Sequence, residues 1–325
     1  MESPAHRTVS VLIATRNRRD VLAESLRAYE RQSYPDIEIL VADNGSSDGT
    51  VEMLARDFPH VSVVAYPENR GPLALNDLAE RATGAYLWRT DDDASPADPT
   101  TLADAVQLME QYPHVTAVTG DILERLIGYQ PLDYYPFERP EHIPDEGLPA
   151  IECWGTCMMV RREAFLAVGG FWNLFYGEEL DLSSRLILNG GELRYQPRLR
   201  VRHESAFASK GADALQEVRK YVDRWLLQTE SSVRYQWRYF PWWMAFGRTK
   251  VIWFGLLISA VSHRFGVRQI WQGLRVTMRA IAWGRAHHLT VTSEQRSRIT
   301  MDRSIWDVVF RYYKVRWQQR RTSVA

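Results

Sequence analysis

Three consecutive aspartates, Asp91, Asp92 and Asp93, end the segment AYLWRTDDD and precede Ala-Ser-Pro. Adjacent carboxylates repel one another, so such a run costs stability unless a cation or hydrogen-bond donors compensate. In extended backbone, residues 91 and 93 point to the same side, so both can face one hard cation while Asp92 faces elsewhere. The alternative is a solvated turn with a helix cap at Ser95. A position at the end of a strand favours the metal site.

A second polar motif runs from Asp43 to Thr50 with the sequence DNGSSDGT. Each of its residues is a good turn former, so a turn followed by a helix N-cap explains the motif. Because it follows an apolar run typical of a buried strand, it also offers a carboxylate for a base or a ribose. Backbone amides near the start of the next helix suit phosphate or hydroxyl groups.

The elements that carry these motifs alternate between short β-branched runs and helical patterns, which is typical of a parallel sheet with crossover helices. We expect strands at 9–15, 37–44, 61–67 and 85–93, and helices near 18–32, 48–57 and 72–82. Ligands of open parallel sheets bind beyond the carboxyl ends of the strands. Those ends carry polar segments at 15–17, 43–46, 69–71 and 91–93.

The pattern continues with a helix and a strand over 99–122, a segment without period at 127–150, and a strand with a turn at 156–165. A long aperiodic segment inside a compact domain is usually functional or mobile. A helix over 179–189, a strand ending at His203 and helices from about 212 onward complete the chain. We therefore expect one α/β domain over 1–204 and a helical region over 205–325.

The formal net charge of zero hides an asymmetry along the 325 residues. Residues 1–204 carry 19 basic and 33 acidic side chains, and residues 205–325 carry 21 and 7. An acidic first part suits a site that collects a divalent metal, and a basic second part suits an anionic partner. The start of the chain lacks the apolar core of a signal peptide, and the two cysteines, Cys153 and Cys157, are expected to be reduced packing residues of a cytosolic protein.

Taken together, the motifs resemble the family 2 glycosyltransferases of the GT-A fold over about residues 8–204. The resemblance implies a Rossmann-like, mostly parallel sheet flanked by helices, with a nucleotide-sugar half at about 8–95 and an acceptor half at about 96–204. The matching pieces, in the family's order, are SVLIATRN from Ser10, VADNGSSDGT, ENRG from Glu68, TDDD from Thr90, Gly155-Thr156 with Arg161-Arg162-Glu163, GGF from Gly169, and GEELD from Gly177.

Site residues follow from the resemblance, residue by residue. It implies a divalent cation, Mn²⁺ or Mg²⁺, held by Asp93 and Asp91 with His203, although a structural histidine is an equal alternative for His203. It also implies a set of donor-binding residues, in which Thr15 and Asn17 line the nucleotide pocket and Asp43 recognises the base: Thr15, Asn17, Asp43, Asn69, Asp91 and Asp92.

Glu179 matches the position of the family's general base, which takes the proton of the acceptor hydroxyl as that hydroxyl attacks the anomeric carbon. Glu178 is its rival for this role. Asp181 and Arg185, at helical i,i+4 spacing, are expected to form a structural pair. The resemblance implies inversion of configuration at the transferred sugar.

Two features depart from the family pattern. Arg89 and Thr90 stand where relatives often carry apolar residues. Tyr221 stands where the Gln-x-x-Arg-Trp motif of processive synthases has its glutamine, before Arg224 and Trp225, which favours transfer of one sugar at a time.

Two other functions compete with a glycosyltransferase. A sugar-phosphate nucleotidyltransferase has a Gly-rich, Lys-bearing loop after its first strand, where this chain has Thr-Arg-Asn. A non-catalytic nucleotide-sugar-binding module predicts donor binding without turnover.

The basic tail predicts a membrane partner. No acidic residue occurs from Ser231 to Ser293, nine basic residues do, and nine of the twelve tryptophans follow residue 204, among them Trp242, Trp243, Trp253, Trp271 and Trp283. Tryptophan and basic side chains favour the headgroup region, and the apolar run at 251–262 is far shorter than the ~20 residues that span a bilayer.

We therefore expect a cytoplasmic protein bound peripherally to the anionic inner face of the cell membrane through residues 231–293. Its acceptor would be a lipid-linked or cell-envelope glycan. A helical cap on the catalytic domain or a dimer contact is the alternative for the tail, and an oligomer is possible. Nucleic acid is not expected, because a nucleic-acid surface does not fit the acidic first part.

Overall fold

The computed structural model describes residues 8–124, 130–131, 140–172, 177–204, 214–262 and 267–300. The strands are β1 Val9–Thr15, β2 Ile37–Asp43, β3 Ser62–Ala65, β4 Tyr86–Asp91, β5 Ala94–Pro96, β6 Val115–Glu124, β7 Gln130–Pro131, β8 Leu148–Ala150, β9 Met158–Arg161 and β10 Glu192–His203. The helices are α1 Arg19–Glu30, α2 Thr50–Asp57, α3 Leu73–Arg81, α4 Thr101–Gln111, α5 Arg162–Ala167, α6 Glu178–Leu188, α7 Ala214–Tyr239, α8 Trp242–Ser262, α9 Val267–Ala286 and α10 Ser293–Thr300.

One sheet runs through the molecule in the order β3-β2-β1-β4-β9-β6-β10-β5, with β7 beside β6 and β8 beside β10. Strands β1 to β4 pair in parallel, as the alternating pattern predicts. Beyond β4 the sheet is mixed, because β9 runs antiparallel to both of its neighbours whereas β6 and β10 pair in parallel. The sheet is mixed because the composition of a short apolar strand does not encode its direction, which depends on the connection that delivers it.

Helices cover both faces of the sheet. On β1, Val11 and Ile13 join a buried cluster with α1, α2 and α4, whereas Leu12 joins a second cluster with α3, α5 and α6. This alternation is the period-two pattern of a strand buried on both sides. The carboxyl ends of β1, β2 and β4 therefore lie together at one edge, where Thr15 is in register with Asp43 and Ala14 with Asp91.

The aspartate run does not continue the strand as predicted. β4 ends at Asp91, Asp92 and Asp93 form a turn, and β5 returns to pair antiparallel with β10, with Ala94 in register with His203. Three ionised carboxylates along one extended segment would repel one another, and the turn lets each of them reach different partners. The turn also brings the segment beside the end of β10.

Strand β10 contains an irregularity that sets the position of His203. Its register with β6 shifts between Tyr195 and Arg200, after which His203 is in register with Glu124. The backbone of Leu199 bulges against Gly120 of β6, where any Cβ would collide with the Leu199 carbonyl. A glycine at 120 therefore allows the bulge that aligns the end of β10 with Glu124.

The helices after β10 pack partly on the α/β body. Tyr239, Phe240, Val291 and Ile299 belong to the same buried cluster as Leu182 of α6. Within the ranges that the structure describes, no helix combines the length and the hydropathy needed to cross a bilayer. The division at residue 204 stays a prediction.

Gly120→Ala is expected to lower the free energy of unfolding by about 1–3 kcal/mol, because its methyl group would meet backbone that cannot rotate away. The matched control is Gly247→Ala on α8, where a Cβ has open space. That change should be neutral or stabilising by about 0.5–1 kcal/mol, since alanine is the better helix former. Urea denaturation of both variants measures the difference. Equal stability of the two would contradict the close approach of β10 to Gly120.

Candidate functional site

Asp91 at the end of β4, Asp93 in the following turn and His203 at the end of β10 lie together. One ligand atom from each lies within 4.8 Å of the others. His203 Nε2 is 3.3 Å from Asp93 Oδ1, and its Nδ1 is 2.8 Å from Glu124 Oε2. Burial alone would lower the pKa of His203, but Asp93 and Glu124 outweigh it and raise the pKa to about 10. Two carboxylates and an imidazole form a donor set that suits a divalent cation such as Mn²⁺, which would take the place of the proton on His203 Nε2.

Asp92 faces away from this cluster. Its two carboxylate oxygens accept hydrogen bonds from the Thr15 hydroxyl (2.7 Å) and from Arg18 (2.6 Å). Burial raises the pKa of Asp92 to about 6, although Arg18 and the Thr15 hydroxyl both act to lower it. Thr15, named from the sequence as a pocket residue, is itself buried and holds Asp92.

Arg18 is a site residue that sequence reasoning missed. Its second guanidinium nitrogen donates to Asp93 Oδ2 at 2.8 Å, so Arg18 bridges Asp92 and Asp93. Burial would raise the pKa of Asp93, yet His203 and Arg18 together lower it to about 2. The only signal in the sequence is a cluster of arginines after the first strand, and sequence alone does not say which of them reaches the aspartates 74 and 75 positions away.

Asp43 has one carboxylate oxygen that is free for a ligand. Its Oδ2 accepts a hydrogen bond from the Ser46 amide (3.0 Å), whereas the buried Oδ1 has no hydrogen-bond partner in the described part of the chain. The residue is 2% exposed. A buried oxygen without a partner costs stability, so this atom is placed to accept a hydrogen bond from a bound group.

Asn17 and Asn69 shape the loops of the same edge. Asn17 has a positive φ of 52°, which asparagine tolerates better than most residues, and its side-chain oxygen accepts a hydrogen bond from the Ser47 amide (2.7 Å). The side-chain oxygen of exposed Asn69 accepts one from the Gly71 amide (2.8 Å). Both side chains thus stabilise turns at this edge of the sheet.

Arg89 connects the aspartate cluster to the start of α6. It is 9% exposed, its NH1 lies 2.9 Å from Asp91 Oδ1, and its NH2 lies 3.5 Å from Glu179 Oε1. A Cβ on Gly155 would collide with both the Arg89 guanidinium and the Glu179 carboxylate. The sequence marked Arg89 as a departure from the family pattern but gave no role for it.

Glu178 and Glu179 interact with this arginine, and Glu152 lies near both of these glutamates. Burial, with the charge of neighbouring Glu179, raises the pKa of Glu178 to about 8. Burial, with the charges of Glu178 and Glu179, raises the pKa of Glu152 to about 8. Burial also raises the pKa of Glu179, and Arg89 opposes that shift. Carboxylates with raised pKa values are stronger bases, so this pocket is suited to accepting a proton.

Asp181 and Arg185 form the structural pair that their spacing predicts. Arg185 Nε donates to Asp181 Oδ2 at 2.8 Å, and the Tyr239 hydroxyl of α7 donates to Asp181 Oδ1 at 2.7 Å. Asp181 is fully buried. The pair anchors α6, whose first turn carries Glu178 and Glu179, to the helical region.

Comparisons with known proteins agree with this architecture. The glycosyl transferase family 2 model matches residues 10–169. The putative glycosyltransferase EpsE of Bacillus subtilis is 30% identical over 191 residues, which are 56% of this chain and 67% of EpsE. The N-acetylglucosaminyl-diphospho-decaprenol L-rhamnosyltransferase of Mycobacterium tuberculosis is 27% identical over 209 residues, 53% of this chain and 68% of that enzyme. Of several other curated relatives, the match covers less than half of the length.

Among solved structures, the chain is similar to a mannosyltransferase of Pyrobaculum calidifontis, PcManGT, in complex with GDP-Man and Mn²⁺. The TM-score is 0.56 at 19% identity, and the match covers 98% of this chain and 85% of that one. This likeness concerns the fold, and the sequence relatives carry the family. The chain belongs to glycosyl transferase family 2 and has the GT-A fold that its motifs implied.

Proposed function

We propose that the protein transfers one sugar at a time, with inversion, from a nucleotide-diphosphate sugar to an acceptor hydroxyl. The observation that carries the proposal is the buried Arg89 between Asp91 and Glu179, because it joins a cation-binding cluster to a basic carboxylate in one pocket. Family membership and a structural neighbour that binds GDP-Man with Mn²⁺ support it.

The donor would bind across the carboxyl ends of β1, β2 and β4. The free oxygen of Asp43 would accept a hydrogen bond from the base. Asn17 and Asn69 would line the nucleotide with their loops, while Thr15 would act through Asp92 by holding its carboxylate. Asp91 would contact the ribose or the cation.

A divalent cation, Mn²⁺ or Mg²⁺, would be held by Asp91, Asp93 and His203, whose donor atoms fit such an ion. When bound, it would supply positive charge where the departing diphosphate becomes more negative. Arg18 keeps Asp93 ionised and oriented toward the cluster through its ion pair. Glu124 holds His203 through Nδ1 and leaves Nε2 facing Asp93.

Glu179 would act as the general base. As the acceptor oxygen forms its bond to the anomeric carbon, the bond from that carbon to the diphosphate breaks and the hydroxyl proton passes to the Glu179 carboxylate. Arg89 orients this carboxylate from 3.5 Å. One displacement from the face opposite the leaving group gives inversion. Glu178, on the same first turn of α6, is the rival base.

We propose a lipid-linked or cell-envelope glycan as the acceptor. The named activity of the mycobacterial relative, which modifies a decaprenol-linked sugar, supports an acceptor of this class. It also supports a cytoplasmic position at the inner face of the cell membrane. Tyr221 in place of the processive glutamine supports the addition of a single sugar.

Incubation with a panel of nucleotide sugars and Mn²⁺, followed by measurement of nucleoside diphosphate release, tests the proposal. Release of nucleoside diphosphate is expected with a subset of donors. Release of pyrophosphate from a nucleoside triphosphate and a sugar phosphate would instead indicate a nucleotidyltransferase. Donor binding without release of either product would indicate a binding module.

Activity is expected to require a divalent cation. Excess chelator should abolish nucleoside diphosphate release, and Asp93→Ala should reduce it about 100-fold or more, because the change removes a ligand and leaves Arg18 with Asp92 as its remaining partner. Asp57→Ala, at an exposed ion pair on α2, is the matched control and should retain full activity. Undiminished turnover in chelator would exclude the metal assignment.

Glu179→Gln is expected to lower kcat roughly 100- to 10,000-fold, since an amide keeps the shape of the side chain but does not take a proton. Donor affinity, measured by calorimetry with the nucleoside diphosphate, should change little. Glu178→Gln should have the smaller effect on kcat. The reverse ranking of the two variants would make Glu178 the base.

Gly155→Ala is expected to lower kcat roughly 10- to 100-fold, because its methyl group displaces the ends of Arg89 and Glu179 from their contact. The thermal midpoint should change little, since those side-chain ends can move. Adding Glu179→Asp to Gly155→Ala shortens the side chain that the new methyl group meets. This double variant should not recover activity, because its carboxylate no longer lies at the position of the Glu179 carboxylate. Wild-type kcat in Gly155→Ala would show that the Arg89 contact does not matter for turnover.

A further inference from the structure

The exposed large apolar side chains of the described residues are confined to one part of the chain. All nine lie between residues 242 and 289, and eight of them lie on α8 and α9. The eight are Trp242, Trp243, Phe246, Phe254, Val267, Trp271, Leu274 and Met278. Large apolar side chains left exposed on two successive helices indicate an interaction site.

The spacing places all of these side chains except Trp243 along one stripe on each helix. On α9, residues 267, 271, 274 and 278 follow the i, i+4, i+7, i+11 pattern of a single helix face. On α8, residues 242, 246, 250 and 254 recur every fourth position, and the Lys250 ammonium lies 4.5 Å from the Phe246 ring centroid. We call these two stripes together the aromatic face.

The opposite side of α9 is attached to the body. Val276, Thr277 and Ala280 are buried, and Gly284 packs so closely on α7 that a Cβ would press on Trp237. The sequence placed Trp283 among the membrane-facing tryptophans. Its ring instead packs against Trp172 in a T-shaped arrangement, with 5.8 Å between the ring centroids. The apolar stripe of α9 is therefore exposed although the helix itself is packed against α7.

The charge around the aromatic face selects its partner. No acidic residue occurs between Ser231 and Ser293, and exposed arginines accompany the apolar stripe of α9, among them Arg268, Arg275 and Arg279. A second copy of the chain would bring the same positive charges against one another. Tryptophan with arginine instead matches the headgroup region of a bilayer that contains anionic lipid.

We propose that the aromatic face of α8 and α9 docks into the headgroup region of an anionic phospholipid bilayer. This docking supplies a membrane partner for the proposed function. It rests on the proposed function only in taking the acceptor to be lipid-linked. Because α7 joins α9 to Asp181 of α6, docking fixes the orientation of the helix that carries Glu179 relative to the lipid surface.

Flotation of the full chain tests the docking. Wild-type protein is expected to float with vesicles of phosphatidylglycerol and phosphatidylcholine, and far less with phosphatidylcholine alone. Trp271→Ser with Met278→Ser should weaken binding about tenfold or more without a change of charge. Arg275→Gln with Arg279→Gln should weaken it about 10- to 25-fold at low salt.

The matched control is Arg31→Gln with Arg81→Gln, which removes the same charge from exposed positions on the α/β body and should bind as wild type does. Equal thermal midpoints show that each variant is folded. Wild-type protein that stays at the bottom of the gradient would overturn the proposal, as would aromatic-face variants that float normally.

Two further measurements separate other partners and the proposed function itself. A wild-type dimer that becomes a monomer in the Trp271 and Met278 variant, by light scattering, would assign the face to a second copy. Binding of a single-stranded oligonucleotide in place of vesicles would assign it to nucleic acid. Nucleoside diphosphate release in vesicle-free solution tests sugar transfer independently, so failure of docking and failure of transfer are distinguishable.

Discussion

Negative charge is concentrated at one edge of the sheet, and the arrangement of the site depends on how that charge is held. Asp91, Asp92 and Asp93 converge there with Glu124 and Glu179. Each would be costly to bury as an unpaired ion. Arg18 forms ion pairs with Asp92 and Asp93. His203 lies between Asp93 and Glu124, and Arg89 lies between Asp91 and Glu179. Each of these side chains contacts two carboxylates, and His203 and Arg89 join carboxylates from distant positions in the chain.

The sharing of one cation by two carboxylates has an electrostatic consequence. Because Arg89 contacts both Asp91 of β4 and Glu179 of α6, a change at either carboxylate alters the charge that Arg89 offers to the other. The aspartate cluster and the start of α6 are therefore coupled electrostatically before any ligand binds. Gly155 is part of this coupling, since only a residue without a side chain leaves room for the arginine and the glutamate together. Gly120 also allows a close approach, because its lack of a side chain lets β10 bulge and brings His203 opposite Glu124.

Local patterns predicted what depends on local physics. The alternation of strands and helices through residue 95, the i,i+4 pair of Asp181 and Arg185, and the polar ends of β1, β2 and β4 all follow from periodicity and short-range spacing. The antiparallel direction of β9, the turn at Asp92 and the role of Arg18 do not. Each depends on contacts between segments far apart in the chain. Arg18 and Asp92 are 74 positions apart, and the sequence does not indicate which arginine of its cluster spans that separation.

The charge asymmetry of the chain links the two regions in a way that neither region shows alone. Residues 1–204 carry an excess of acid that serves the pocket, and residues 205–325 carry an equal excess of base. On the proposed docking, an anionic surface would repel the first region while it attracts the second, so the same field that recruits the protein would also turn the α/β body away from the lipid. The anchor of α6 to Tyr239 limits how far that body can rotate. An acceptor carried by a lipid would then approach a pocket whose orientation is set by charge before the sugar chemistry begins.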